Sequence, residues 1–245
     1  MLFNTTDYLT VVNTYIGPRL HAMAANKSQA LERAFLAEEY APQTVLFPCF
    51  SLAAVGLADI GYDVTVCIDT NSAAIVAQQF PQLKVTKQSL LELADANQKF
   101  DAVIAVDEYI TYAEFEEQQI ALLHALLDVA EELVLVSVRD YKNMPQHNYQ
   151  FDEPFGFSKD NNDVTVLHRR TWKEHDRQAW QSQWYVVNSN NQQWTSPLID
   201  RRTMYFKQLA KFSHDYGIDR FTVLKGASYK PAFSKHYEFL AGIRL

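Results

Sequence analysis

"QTVLFPCFSLAAVGLADIGYDVTVCIDTN", residues 43–71, decides how the rest of the chain is read. An apolar strand pattern passes through a tight turn into a helix, then into a second apolar strand that ends on Asp69. A helix start offers unpaired N–H groups, and an acid at the next strand's tip accepts from hydroxyls, so this layout is a half-site for a nucleotide-bearing ligand. The turn lacks the glycines such a loop usually carries. Only seven glycines occur in 245 residues, so the gap partly reflects a chain poor in glycine throughout.

The alternation continues outward from this stretch. Apolar strand runs fall at 44–49, 64–68, 83–86, 101–106 and 133–138, with helix-like segments near 52–60, 71–80, 88–97 and 113–130. Continuous apolar strands between helices predict a parallel sheet covered on both faces. Right-handed crossovers make it doubly wound, with ligands at the carboxyl ends of the strands. Residues 1–42 read as helical. In "NKSQALERAFLAEEY" the apolar groups Leu31, Ala34, Phe35, Ala37 and Tyr40 recur near i, i+3 and i+4, and Gly17 and Pro18 separate two short helices.

The pattern breaks after Tyr141. The stretches "DVTVLHRRTW", "RQAWQSQWYVVN" and "QQWTSPLI" read as antiparallel strands, and Trp180, Ser182 and Trp184 alternate with Gln181, Gln183 and Tyr185 as in a half-buried sheet. A helix over 200–216 stops at Gly217, and "RFTVLK" and "YEFLAGIRL" close the chain as a hairpin. The expected plan is one α/β domain over 1–245. It comprises a helical lid at 1–42, a core at 43–141, an inserted antiparallel sheet at 142–199, and a last helix and hairpin at 200–245.

A formal charge of −7 argues against tight electrostatic binding of nucleic acid. No run of about 18 apolar residues predicts a membrane span, and the start "MLFNTTDYLT" lacks the charged and apolar regions of a secretory signal. Cys49 and Cys67 have no metal-ligand spacing and read as buried reduced thiols, which points to a cytoplasmic protein. His168 and His175 lack a neighbouring cysteine or histidine cluster, so no metal is expected. Self-association is left open.

On these residues the chain resembles the class I S-adenosylmethionine-dependent methyltransferases, whose Rossmann-like seven-stranded sheet is mostly parallel with a final antiparallel hairpin. Within that class it resembles glycine/sarcosine N-methyltransferase-like enzymes, with a degenerate glycine motif. It shares "FDAVI" at 100–104, "RDY" at 139–141 and a small antiparallel sheet before the last helix. The resemblance spans roughly residues 43–245 and implies S-adenosylmethionine as cofactor and a small-molecule substrate.

It also assigns residues. In "VLFPCFSLA" Phe47 stands where the family has a strand-end acid, and Cys49, Ser51 and Ala53 form the loop that would approach the cofactor's amino-acid portion. Asp69, with Thr70 beside it, is placed to accept the ribose hydroxyls, or else to cap the helix that follows. Gln88 and Ser89 fall against adenine, Ser89 alternatively capping a helix. In "VDEYITY" Asp107 and Glu108 can bind an amine or act as a base, and they replace the residues that glycine-methylating enzymes carry there. Arg139 is placed to hold a substrate carboxylate, or to make a salt bridge to Asp140 or the insert, with Tyr141 lining the same pocket. The expected activity is methyl transfer to a small amine- or carboxylate-bearing molecule. A catalytically degenerate relative serving as a binding or structural module is the alternative. Modification of nucleic acid or protein, resting on the aromatic and basic residues of the insert, is a third reading.

Overall fold

A computed structural model describes residues 20–139, 141, 150–151, 155–159, 162–188, 193–229 and 238–245. The turn at Gly17 and Pro18, the segment before it, and Asp140 lie outside the described residues.

Seven strands form one sheet. In chain order they are β1 (Thr44–Phe47), β2 (Asp63–Cys67), β3 (Lys84–Thr86), β4 (Phe100–Ala105), β5 (Ala130–Val138), β12 (Arg220–Tyr229) and β13 (Glu238–Arg244). Their spatial order is β3-β2-β1-β4-β5-β13-β12. The first five pair in parallel, while β13 runs antiparallel to both β5 and β12. This is the mostly parallel, doubly wound sheet with an antiparallel closing hairpin that the sequence predicts. Between the parallel strands lie α2 (Leu52–Asp59), α3 (Thr70–Gln79), α4 (Leu90–Asp95) and α5 (Glu116–Val129), with α1 (Leu20–Ala37) ahead of β1 and α6 (Phe206–Asp215) before β12. The strands carry unbroken apolar runs because both faces are covered. Val45, Leu46, Val64, Val66, Val103, Ile104, Leu133, Val134 and Leu135 are all at most 1% exposed.

A second sheet packs β6 (Gln150–Phe151), β7 (Phe155–Lys159), β8 (Asn162–Lys173), β9 (Asp176–Asn188), β10 (Gln193–Thr195) and β11 (Ile199–Arg202). Every pairing in it is antiparallel. Its period of two is visible in burial. Val166, His168, Arg170 and Trp172 on β8, and Ser182 on β9, are buried, while their neighbours are partly exposed. Residues 200–202 belong to this sheet and not to a helix starting at 200. Asp200, Arg201 and Arg202 pair with Gln181, Trp180 and Ala179, and helix α6 begins only at Phe206.

Helix α1, which lies within the 1–42 stretch expected as a helical lid, packs its buried face into the core. Ala24, Leu31, Ala34 and Phe35 are buried against the same cluster as Val45, Phe47, Leu52 and Val55. It crosses α2 so closely that a Cβ on Gly56 would run into the backbone carbonyl of Ala24. Among the described residues no helix is long and apolar enough to cross a membrane.

Both cysteines are buried and free. Burial pushes the Cys67 thiol up to about 12, with Glu92 adding to the effect, and holds Cys49 well above its ordinary value. A thiol reacts as its thiolate. Ellman's reagent at pH 8 is therefore expected to leave both groups unmodified in the native protein and to titrate two thiols in denaturant. Rapid labelling of the folded chain would show that these strands open locally.

Candidate functional site

The carboxyl ends of β4, β1 and β2 lie side by side, and the loops leaving them carry most of the polar groups expected at a site. Ser51, fully buried, is the N-cap of α2: its Oγ accepts from the Ala53 N–H at 3.2 Å. The same hydroxyl donates to Asp107 Oδ2 at 2.6 Å. Asp107 Oδ1 lies 3.2 Å from the Nζ of Lys27, a residue only 5% exposed in the middle of α1. The expected members Ser51 and Asp107 are thus brought together, joined by a lysine from outside the expected site.

Asp69 is the N-cap of α3. Its Oδ1 accepts from the backbone N–H and the hydroxyl of Ser72, at 3.0 and 2.9 Å. Its Oδ2 is buried and has no hydrogen-bond partner among the described residues. Capping therefore uses one oxygen and leaves the other available, so the two readings of this residue are compatible. A buried carboxylate oxygen without a donor is costly, and such atoms mark places where a ligand supplies the missing hydrogen.

The other cofactor candidates are placed less pointedly. Phe47 ends β1 with its ring in the core, and Phe50 packs on Phe80 with centroids 5.2 Å apart. Cys49 is buried in the cluster that holds Leu46 and Cys67, Ala53 is buried in the first turn of α2, and Thr70 is exposed at the start of α3. Ser89 makes a capping box with Glu92, which uses its hydroxyl and N–H locally. Gln88 is exposed, its N–H donating to Thr86 Oγ1.

A second polar cluster lies between the β4 and β5 ends and the buried face of the antiparallel sheet. Glu108, 6% exposed, is its centre. Arg139 Nε lies 2.9 Å from Glu108 Oε1, an ion pair in which proximity of charge counts for more than hydrogen-bond direction. Tyr141 donates its hydroxyl to the same oxygen at 2.8 Å. Arg201 reaches across from β11, its Nη1 donating to Thr111 Oγ1 at 2.9 Å and to the Glu108 carbonyl at 3.5 Å. The Arg201 guanidinium lies over the Tyr112 ring, 3.3 Å from its centroid. Arg139 makes its salt bridge to Glu108, a partner the sequence reading had not weighed.

Burial pushes the Glu108 carboxyl up. Arg139, Arg201, His168 and the Tyr141 hydroxyl pull it down by more, and the group ends below its ordinary value. A carboxylate held ionised in this way is a weak base and a strong charge anchor. Glu108 consequently positions Arg139 and Tyr141 and is poorly suited to removing a proton. Asp107 and Glu108 both have φ of 58°, the left-handed region that non-glycine residues seldom occupy. Two such residues in succession at a strand end, away from any helix C-terminus, store strain of the kind that collects at functional sites.

Lys27, Arg201 and Arg170 were missed or under-read in the sequence, and two of them, Lys27 and Arg170, carried a signal. Lys27 and Ser28 interrupt the stripe of Ala24, Leu31 and Ala34 at helical spacing. Arg170 shares the buried face of β8 with Val166 and Trp172, where period two predicts apolar residues, and it lies 5.2 Å from the Trp180 ring centroid.

No protein-family model matches the chain, and no curated protein matches it. Solved structures do. The chain superposes on Streptomyces venezuelae DesVI with a TM-score of 0.70 at 11% identity, covering 98% of each chain. It superposes on CalS10, an amino pentose methyltransferase from Micromonospora echinaspora with bound S-adenosylmethionine, with a TM-score of 0.67 at 12% identity, over 99% of this chain and 98% of that one. A Clostridium acetobutylicum S-adenosylmethionine-dependent methyltransferase gives 0.66 at 11% identity, covering 98% of each. The fold is the one these class I methyltransferases share.

Proposed function

We propose that the chain binds S-adenosylmethionine across the carboxyl ends of β1, β2 and β4 and transfers its methyl group to a small amine- or carboxylate-bearing molecule. The observation that carries this reading is the buried Oδ2 of Asp69 at the tip of β2, which has no donor among the described residues and to which a ribose diol would supply the hydrogen. On the opposite side, Asp107 at the tip of β4, held by the Ser51 hydroxyl at the start of α2, provides an acceptor for the cofactor's amino-acid end. The residues present therefore fit the cofactor even without loop glycines, since helical backbone does not require them.

Bound S-adenosylmethionine supplies an electrophilic methyl carbon on sulfur. The chain's part is to hold the acceptor in line with that carbon, and positioning rather than acid–base chemistry does most of the work. Arg139, buried at the end of β5 and paired with Glu108 beside Tyr141, is the anchor for an acceptor's carboxylate. A guanidinium carries five donors, so pairing with Glu108 does not by itself remove it from that role. The relatives named above include an amino pentose methyltransferase, which agrees with a small acceptor.

Asp69→Ala is expected to weaken S-adenosylhomocysteine binding in isothermal calorimetry by about 1–3 kcal/mol, the range for an ionised acceptor losing its hydrogen bonds. Part of α3's cap is lost as well, so the melting temperature is read in parallel. Unchanged affinity would remove Asp69 from the site. No binding by the wild-type chain at millimolar ligand would remove the function.

A further inference from the structure

Lys27 is a charged residue in an apolar stripe. It sits between Ala24, Leu31 and Ala34 on the face of α1 that packs on the core, and only 5% of it is exposed. Asp107, its partner at 3.2 Å, has a side chain 14% exposed and is itself held by Ser51. Burying an ammonium and a carboxylate is expensive, and well-packed apolar side chains in their place are often as stable or more so. Fold stability alone therefore gives no reason for this pair. A ligand that needs one cation and one anion side by side does give one.

An α-amino acid group is such a ligand: it carries a carboxylate and an ammonium on a single carbon. We propose that Lys27 and Asp107 form the receptor for the amino-acid end of S-adenosylmethionine, Lys27 taking its carboxylate and Asp107 its ammonium. This rests on the cofactor reading above. Binding exchanges the Lys27–Asp107 pair for two new pairs of the same kind, so neither buried charge is left alone. The lysine's four-carbon stem allows the small shift this requires. The positions agree with the rest of the cofactor. Asp107 follows β4 and Asp69 follows β2, with β1 between them. Two strand spacings, about 10 Å, separate the tips. The sulfur and short carbon chain joining ribose to amino acid fill that interval. The pair also explains how a loop without glycines or a strand-end acid can hold the cofactor: its charges come from α1 and β4 instead.

The test is calorimetry on the full chain with four ligands: S-adenosylmethionine, S-adenosylhomocysteine, decarboxylated S-adenosylmethionine, and 5′-methylthioadenosine, which lacks the amino-acid end. Lys27→Met is expected to weaken S-adenosylhomocysteine about tenfold or more, as for loss of a charge-assisted hydrogen bond. It should leave 5′-methylthioadenosine within about twofold, a discrimination that a merely structural role for Lys27 would not produce; Lys27→Arg should restore most of the loss. Equal S-adenosylhomocysteine affinity in wild type and Lys27→Met overturns the proposal. Tighter binding by Lys27→Met also overturns it and makes Lys27 a plug over the site. Should Lys27→Met fail to fold, the unmodified chain decides. Decarboxylated S-adenosylmethionine binding at least tenfold more weakly than S-adenosylmethionine supports the proposal, and equal binding overturns it. If the wild type binds 5′-methylthioadenosine but Lys27 makes no difference, this inference alone fails. If it binds none of the ligands, the cofactor reading fails and takes this inference with it.

Discussion

Replacing Glu108 with glutamine is expected to destabilise the protein by about 3–5 kcal/mol, the range for removing one partner of a buried ion pair. The size follows from what the carboxylate holds. Arg139 lies on it, Tyr141 donates to it, and Arg201 and His168 contribute to keeping it ionised. Glutamine keeps the shape and one acceptor but removes the charge, leaving buried guanidiniums facing a neutral amide. Urea unfolding should show a lower midpoint with an unchanged slope, because the surface exposed on unfolding does not change.

The pH dependence gives a second readout of the same substitution. The folded-state carboxyl of Glu108 lies below its ordinary value of 4.5. A depressed value means that the unfolded chain takes up this proton first as the solution is acidified. The stabilisation is therefore complete above about pH 4.5. It fades as the pH falls from there through the lower folded-state value. The stability gap between wild type and Glu108→Gln should be constant from pH 7 to about pH 5 and shrink in more acid solution. A gap that stays constant into acid would mean that Glu108 is neutral in the folded protein and that Arg139 is neutralised elsewhere.

The sheet was legible because period and burial agree along it. Leu133 to Val138 read as a continuous apolar strand, and β5 is buried from Leu133 onward. The closing hairpin was legible from "YEFLAGIRL", and it takes the antiparallel place beside β5. The start of the last helix was misplaced at Asp200 because Asp200 to Arg202 is polar. What makes it strand is pairing with Gln181, Trp180 and Ala179, a tertiary choice that local propensity does not encode. The rim residues were found one at a time, as tips of strands, since topology alone brings Asp69 and Asp107 to one edge. Their partners were not found, because Lys27 and Arg201 arrive from elements 80 and 93 positions away in the chain. A single sequence gives no register for such contacts. What it did contain was a lysine on an apolar helical stripe and, at Arg170, an arginine on a largely apolar strand face, both exceptions that call for a partner.

Gly56→Ala sets two known effects against each other. In the middle of α2 alanine is the better helix former by about 1 kcal/mol. Against this, the added Cβ meets the carbonyl of Ala24 and crowds the Ser28 Cβ at 3.0 Å. A backbone carbonyl cannot rotate aside, so the whole of α1 has to move, and overpacking of this kind costs about 1–3 kcal/mol or more. The clash is expected to win, for a net loss of about 2 kcal/mol in chemical unfolding. Lys27 lies one turn from Ala24 on the same helix face, so the displacement should also pull its ammonium from Asp107 and lower S-adenosylhomocysteine affinity in the same sense as Lys27→Met. Gly217→Ala provides the control. Its φ of 86° makes alanine unfavourable there, yet nothing lies within 4 Å of the added carbon, so it should lose about 1–2 kcal/mol of stability with ligand affinity unchanged. Equal affinity losses in the two glycine variants would show that binding follows overall stability. A loss confined to Gly56→Ala would tie the ligand to the close packing of α1 on α2, which makes this glycine, outside the loop where glycines were expected, the one the site depends on.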